Sequence, residues 1–561
     1  MLRTRWIEKM TELPWDEYPR PSLKRDSFLC LNGQWDFAFS REEMSENWQK
    51  ISVPFCPESD LSGINKSHEE GENLLYRRRF SLPEGFVKDR VILHFGGCDQ
   101  ECKVFVNGRE IGTHRGGYLP FGFDITEWIH NENTILVVAR DDGDTFYPWG
   151  KQRKKRGGMW YTKVSGIWQT VWLESVPKRY IESIRFTPTE DGVYVNFQGV
   201  DRIALSFDDL ETEEKYQLAD GDFLKVKNPV LWSPENPNLY HVTVSSGEDV
   251  VKTYFALRTV SVEKIGEYPR ILLNGRPYFF HGLLDQGYWP DGIFLPPTPE
   301  ALLEELKEIK ALGFNMVRKH IKIEPEIFYY YCDTLGIAVF QDMVNSGEYR
   351  FFHDTALPTI GFKSLKDWGG QASAESKEAF FIEHCKDTVS TLYNHPSIVY
   401  WTIFNEGWGQ FKSDMMYAYF KEWDKTRIID STSGWFRQKK SDVESIHVYF
   451  KKVKPIKSDR PIALTEFGGY ALSLENHVFN TKKEFGYKKF SNMADLSEAI
   501  IKLYEEEVLP YIPLGLCVAV YTQVSDVEDE TNGIFTYDRK VCKVSKEGML
   551  KLSEKLCRGN H

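Results

Sequence analysis

Apolar and polar positions change rhythm twice along the chain. From about residue 28 to 177 they alternate with period two in short runs: GQWDFAF, LYRRRFSL, RVILHFGG, CKVFVNGREIG, NTILVVARDD and GIWQTVWLESV, broken by Gly, Pro, Asn and Asp. Such a pattern predicts strands with one buried face and tight turns, hence an antiparallel sandwich and not βαβ units. Asn107-Gly108, between VFV and REIG, predicts a two-residue hairpin. A second β-rich stretch, about 178 to 262, ends in HVTV and KTYFALRTV and has the size of a small immunoglobulin-like sandwich.

After residue 263 strands alternate with helical patterns. Eight candidate strands appear in order: PYFFHGLL, FNMVRKH, IAVFQDM, SIVYWTIFNE, RIIDSTS, SIHVYF, IALTEFGG and LGLCVAVYTQ. Helices are predicted over 299–313, in EPEIFYYYCDTLG, and near 375–393, 411–424 and 493–509, with none evident after the fifth and sixth strands. In the first, Ala301, Leu302, Leu306, Ile309 and Leu312 form one apolar face and Gly313 ends it. Number and order predict a (β/α)8 TIM barrel. The expected division is therefore a jelly-roll domain over 1–177, an immunoglobulin-like sandwich over 178–262 and a barrel over 263–561.

Composition narrows the function. Aromatic residues make up 14% of the 561, with 16 Trp, which suits sandwich cores and sites that stack on flat apolar faces, sugar rings included. A net charge of −12 argues against a nucleic-acid partner. No apolar run approaches the roughly 18 residues of a membrane span. The N-terminus has no apolar h-region, so the expected location is the cytoplasm. Nine cysteines without a second Cys/His cluster predict reduced, mostly buried thiols. GGYLPFG and GGMWYT lack the helix context of a phosphate cradle and are turns. The basic run Lys151–Arg156 is expected as a solvated loop; if it reached the barrel mouth it would favour an anionic substrate.

In a parallel barrel, reactive residues sit where strands end at the C-terminal rim. Those positions hold Asp285 and Gln286, then Arg318, Lys319 and His320, then Asp342, Asn405 and Glu406, His447 and Tyr449, Glu466, and Gln523. Glu406 and Glu466 stand out, since each directly follows an apolar strand and both should enter the cup. Two carboxyl groups flanking one bond are the minimal apparatus of glycoside hydrolysis. Arg318 is placed to hold Glu466 ionised, and Asp285, His320, His447 and Gln523 are candidates to bind a sugar. Trp408, Trp435, Tyr449 and Tyr521 are candidate aromatic platforms.

These strings resemble glycoside hydrolase family 2, the group of β-galactosidases, β-glucuronidases and β-mannosidases. LNGQWDF, FVNGREIGTHRGGYLPFGFDIT, SGIWQTVWLE, LWSPENPNLY, LLNGRPYFFHGL, LGFNMVRKH, CDTLGIAVFQDM and, most specifically, NHPSIVYWTIFNE with a later LTEFGG carry the resemblance. It implies a retaining exo-β-glycosidase acting on a small-molecule or oligosaccharide glycoside, with Glu406 as acid/base, Glu466 as nucleophile and Asn405 bonding the sugar 2-hydroxyl. On that reading the carboxylate oxygens should lie about 5–5.5 Å apart. The resemblance is compatible with a homodimer or tetramer, and no cofactor or metal site is identified.

Three departures leave the glycone open. Where many β-glucuronidases have an Asn-x-Lys pair before a GIFT-type segment, this chain has Glu530 and Asn532. Trp160 stands where a sugar-contacting Asp is common, and VRKHIKIEP replaces the usual Ser-His-Tyr-Pro form. A catalytically silent carbohydrate-binding protein on the same scaffold is the alternative; a metal-dependent hydrolase would need a ligand cluster the strand ends do not supply.

Overall fold

The computed structural model describes residues 2–209, 214–359, 367, 375–449, 451–454 and 457–557. Its first unit is two antiparallel sheets face to face. One runs in the order 49–53, 33–40, 73–81, 132–140, 101–106, 109–115, the other 28–30, 171–176, 90–95, 121–124. The inward positions of the period-two pattern, among them Trp35, Phe37, Leu93, Phe95, Val104 and Val137, form its core. Asn107 and Gly108 take φ of 51° and 79°, the left-handed pair a two-residue hairpin needs. A three- and a four-stranded sheet between residues 183 and 255 form the second sandwich around Val195, Leu205, Val242 and Val244. Residues 260–277 add a small three-stranded sheet, so the division expected at 262/263 falls inside its first strand.

All eight barrel strands occur where the sequence pattern places them: β1 (Phe280–Asp285), β2 (Met316–Lys319), β3 (Ala338–Asp342), β4 (Ile398–Asn405), β5 (Ile428–Ser433), β6 (Glu444–Val448), β7 (Ile462–Gly468) and β8 (Leu516–Thr522). Around them lie α1 (Pro299–Ala311), α2 (Glu326–Leu335), α3 (Glu375–Leu392), α4 (Ser413–Trp423), α5 (Met493–Glu507) and α6 (Lys546–Cys557). The ladder runs β5-β4-β3-β2-β1-β8-β7-β6, all parallel. Between β5 and β6 side chains bridge the seam: Ser433 Oγ lies 3.1 Å from Ser445 Oγ and 2.9 Å from Thr465 Oγ1 of β7. Among the described residues no helix occurs in the connections after β5 and β6. All nine cysteines are free and six are buried. No helix among the described residues is long and apolar enough to cross a membrane.

One arginine ties the second sandwich to the barrel. Arg258, in the connection between the strands that end at Phe255 and begin at Val260, is buried and donates to the carbonyls of Pro396 (2.7 Å), Ile398 (2.8 Å) and Thr426 (3.0 Å) at the N-terminal ends of β4 and β5. Burial, with Arg427 nearby, lowers its pKa to about 9, so it stays charged at neutral pH. Arg258→Met removes these donors and leaves the Pro396 and Thr426 carbonyls without this partner, while the Ile398 carbonyl keeps the Arg427 Nε donor at 2.8 Å. The variant is expected to lose about 3 kcal/mol in urea unfolding; a loss below about 0.5 kcal/mol would show the tie to be structurally idle.

Candidate active site

The rim of the barrel is organised by Arg318 on β2. Its side chain is fully buried and every nitrogen is engaged. Nε donates to Asp342 Oδ1 of β3 at 3.0 Å, Nη2 to Asn405 Oδ1 of β4 at 2.8 Å, and Nη1 to Glu466 Oε1 and the Thr465 carbonyl of β7 at 3.1 and 3.0 Å. Because Arg318 takes the carbonyl side of the Asn405 amide, its NH2 is left for the cup. His320 Nδ1 lies 2.7 Å from the other Asp342 oxygen.

Glu466 receives a second donor, the Tyr449 hydroxyl, at 2.5 Å on Oε2. Tyr449 also stacks on Tyr487 at 4.0 Å between centroids, which fixes its ring. Burial alone would push the Glu466 carboxyl up. His447, Arg318, His320 and Lys151 outweigh burial and hold it near 2. His320 is itself pulled down to about 4, chiefly by burial, so it adds no permanent charge at neutral pH, whereas the Arg318 guanidinium does.

Glu406 follows β4 directly, with φ at +52°, a region non-glycine residues rarely occupy. Its N–H bonds the Ser433 carbonyl at 2.9 Å. Gly407 then turns at φ +76°, where a Cβ would lie 2.2 Å from the Phe436 ring. The strained pair thus aims the Glu406 side chain back over the cup. His447 Nδ1 sits 2.8 Å from Glu406 Oε1 and 3.5 Å from Glu466 Oε2, and its Nε2 rests 3.0 Å from Ser433 Oγ. One oxygen of each glutamate and His447 Nδ1 all lie within 4.8 Å of one another. Among the described residues this is the one set spaced to ligate a metal ion, and an ion there would occupy both carboxylates.

The structure thus gathers Glu406, Glu466, Asn405, Arg318, His320, His447 and Tyr449. Trp435 joins them through an edge contact with His447 at 5.6 Å. Gln523, after β8, donates to Glu530 Oε2 (2.6 Å) and Asn532 Oδ1 (2.8 Å). Asp285 is not among the groups around the two glutamates. It pairs with Lys319 at 2.6 Å in a buried cluster with Lys322 and Glu324, because the strand pleat turns Lys319 away from Arg318. The platform expectation for Tyr521 is also corrected: its ring packs on Phe467 and on Tyr504 of α5, behind the barrel wall. Trp408 edges against Trp149 and Trp160 of the jelly roll, forming an aromatic wall beside Glu406. The hydroxyls Ser433, Ser445 and Thr465 beneath His447, and Tyr487 under Tyr449, escaped sequence reasoning because small polar residues inside strands carry no distinctive spacing.

Jelly roll, immunoglobulin-like sandwich and parallel barrel in this order, with two facing carboxylates at the C-terminal rim, define a three-domain barrel protein with a paired-carboxylate cup. Family models described as "Glycosyl hydrolases family 2, sugar binding domain", "Glycosyl hydrolases family 2" and "Glycosyl hydrolases family 2, TIM barrel domain" match residues 61–177, 183–258 and 265–512. The chain belongs to glycosyl hydrolase family 2. It is 27% identical over 485 residues to a beta-galactosidase of Aeromonas hydrophila, covering 74% of this chain and 44% of that protein. The chain spans less than half the length of the curated relatives it matches. Among solved structures it resembles a beta-glucuronidase of Lactobacillus rhamnosus (TM-score 0.76, 19% identity, 96% of this chain and 98% of that one). It also resembles a beta-D-glucuronidase of Dictyoglomus thermophilum (TM-score 0.73, 20% identity, 96% and 98%).

Tyr449→Phe removes a donor that favours the ionised form of Glu466. The Glu466 pKa is expected to rise by about one to two units, still below neutrality, read from its carboxylate band in infrared pH titration. An unmoved titration would show that Tyr449 does not tune this group.

Proposed function

We propose that the protein is an exo-acting retaining β-glycosidase, with Glu466 as nucleophile and Glu406 as general acid and then base. The observation that carries this reading is the approach of the two carboxylates to within 4.8 Å, with only one of them clamped by a buried guanidinium. Such a separation leaves no room for a water between carboxylate and sugar and matches double displacement, not inversion.

Each residue then has a physical task. Glu466, held ionised by Arg318 and the Tyr449 hydroxyl, attacks the anomeric carbon as Glu406 hands its proton to the departing oxygen. When the glycosyl ester forms, the negative charge of Glu466 disappears, and Glu406 can take a proton from water with less repulsion. The Asn405 amide donates to the 2-hydroxyl, a bond that strengthens as the ring flattens and so favours the transition state over the ground state. Tyr349, whose phenol is raised chiefly by burial and also by the nearby Glu406 charge, borders a cavity of about 570 Å³ shared by jelly roll and barrel. That cavity is where a leaving group on the acid's side would extend.

The test uses aryl β-glycosides of galactose, glucose, mannose and their uronic acids. Glu466→Gln is expected to lose at least about 10⁴-fold in kcat on whichever sugar the wild type cleaves. Glu406→Ala should retain activity on dinitrophenyl leaving groups and form a β-glycosyl azide when azide is added. An α-configured product, or full activity in Glu466→Gln, would overturn the assignment. Failure of the wild type on every sugar would favour a silent carbohydrate-binding role.

A further inference from the structure

The basic run after Trp149 is held between jelly roll and barrel. The Trp149 N–H donates to the Asn345 carbonyl beyond β3 at 3.0 Å, and the Tyr161 N–H to the Lys151 carbonyl at 2.9 Å. At Gly150 a Cβ would lie 2.6 Å from the Tyr118 hydroxyl and 3.2 Å from the Ile321 carbonyl beyond β2, so nothing larger than glycine lets the loop approach this closely. Farther along, Arg156 pairs with Asp529 at 3.3 Å, and the Thr162 N–H bonds Glu528 Oε1 at 3.0 Å, both in the loop after β8. Between these anchors Gln152 and Arg153 pair with Tyr161 and Thr162 as a two-residue strand. Gln152 is buried against Asp99 Oδ2 (3.1 Å) and the Tyr118 hydroxyl (2.9 Å), and the strand pleat sends Arg153 the other way.

The half-buried Arg153 lines the 570 Å³ cavity together with Trp149 and Tyr349. Its guanidinium lies 4.0 Å from the centre of the Trp160 ring and 5.6 Å from that of Tyr349, in the corner the two rings make at 67°. It has no hydrogen-bond or ion-pair partner among the described residues, and none of its nitrogens is sealed from solvent. This corner is tied to Glu406. The indoles of Trp149 and Trp408 donate to one acceptor, the Gly347 carbonyl beyond β3, at 3.0 and 3.1 Å, and Trp408 is the second residue after Glu406. Since Glu406 serves the departing oxygen, the cavity receives the group that leaves and not the sugar that stays.

We propose that Arg153 binds a carboxylate on the leaving group, so that the glycosides cleaved here carry an acidic ring on the aglycone side, the ring against the aromatic wall and the carboxylate in the guanidinium fork. A planar guanidinium takes a carboxylate through two parallel charge-assisted bonds. Stacking on Trp160 holds the fork in place before the ligand arrives, which lowers the cost of ordering it. The other charges on the cavity wall do not compete. Lys163 pairs with Asp141 at 3.0 Å, Asp142 with Arg140 at 2.7 Å, and Glu70 lies 4.0 Å from Lys154. Burial raises the Glu58 carboxyl to about 8 and Asp99 well above the usual carboxylate range, so both favour the neutral form. Glu348 is exposed, and water screens its charge.

This inference rests on the hydrolase reading above. The experiment measures kcat/KM of the full chain on two substrate pairs, both built on a sugar that the wild type cleaves as its 4-nitrophenyl β-glycoside. The first pair has 4-carboxyphenyl and 4-carbamoylphenyl leaving groups; the second links the sugar to O-4 of glucuronic acid and of glucose. Intrinsic leaving-group differences cancel when wild type and variant are compared on one pair. Arg153→Gln is expected to lower the charged-to-neutral ratio about tenfold on at least one pair, and the pair that responds tells whether the acidic ring is aromatic or a sugar. Arg153→Lys, which keeps the charge and loses the fork, should restore part of it. Lys155→Gln, an exposed charge in the same run, should leave the ratio where it was. A ratio unchanged on both pairs, equal losses on charged and neutral members, or the same fall in Lys155→Gln overturns the proposal, while turnover of the neutral glycosides leaves the hydrolase reading standing. A wild type inactive on every glycoside overturns both.

Discussion

A fully buried guanidinium is the constraint around which the site is built. Arg318 has no water to solvate it, so its charge is compensated by Asp342, Glu466, Asn405 and a backbone carbonyl. Stripping a charge of water is costly unless partners of good geometry replace it. These partners come from β3, β4 and β7, so the same interaction that closes one side of the barrel also sets the ionisation of Glu466 and the orientation of the Asn405 amide. Stability and site geometry cannot be altered separately at this residue.

The two glutamates differ because their surroundings differ. Glu466 is gripped at one oxygen by a permanent cation and at the other by a phenol, in a nearly dry position. Glu406 stands on a strained turn, its side chain 19% exposed, with His447 as its one side-chain hydrogen-bond partner among the described residues. On the proposed reading this asymmetry assigns the roles: the fixed, ionised group attacks, and the looser group exchanges protons with the leaving oxygen and with water. His447, braced from below by Ser433, keeps the pair in register across the β5–β6 seam, where no backbone ladder does so.

The jelly roll is part of the cup. Trp149 and Trp160 close an aromatic wall against Trp408, and the loop that follows Trp149 carries Arg153 over the Trp160 ring. A glycine between them permits the close approach, and ion pairs with the loop after β8 hold the far end.

The three-domain architecture, the eight strands, the Asn107-Gly108 hairpin and the strand-end positions of Asn405, Glu406 and Glu466 are legible in the sequence alone. Strand alternation, turn chemistry and the abrupt end of each apolar run are local properties that follow from backbone geometry. The facing of Asp285 and Tyr521 was not legible, since a strand end offers two opposite sides and only packing decides which one enters the cup. Nor was the path of Arg153: in the chain it is one of several basic residues in a polar run, and the Tyr349 ring it reaches belongs to the barrel. Only the docking of one domain on another brings that charge to the ring, because long-range contacts depend on how whole surfaces fit and leave no periodic trace in the residues that make them.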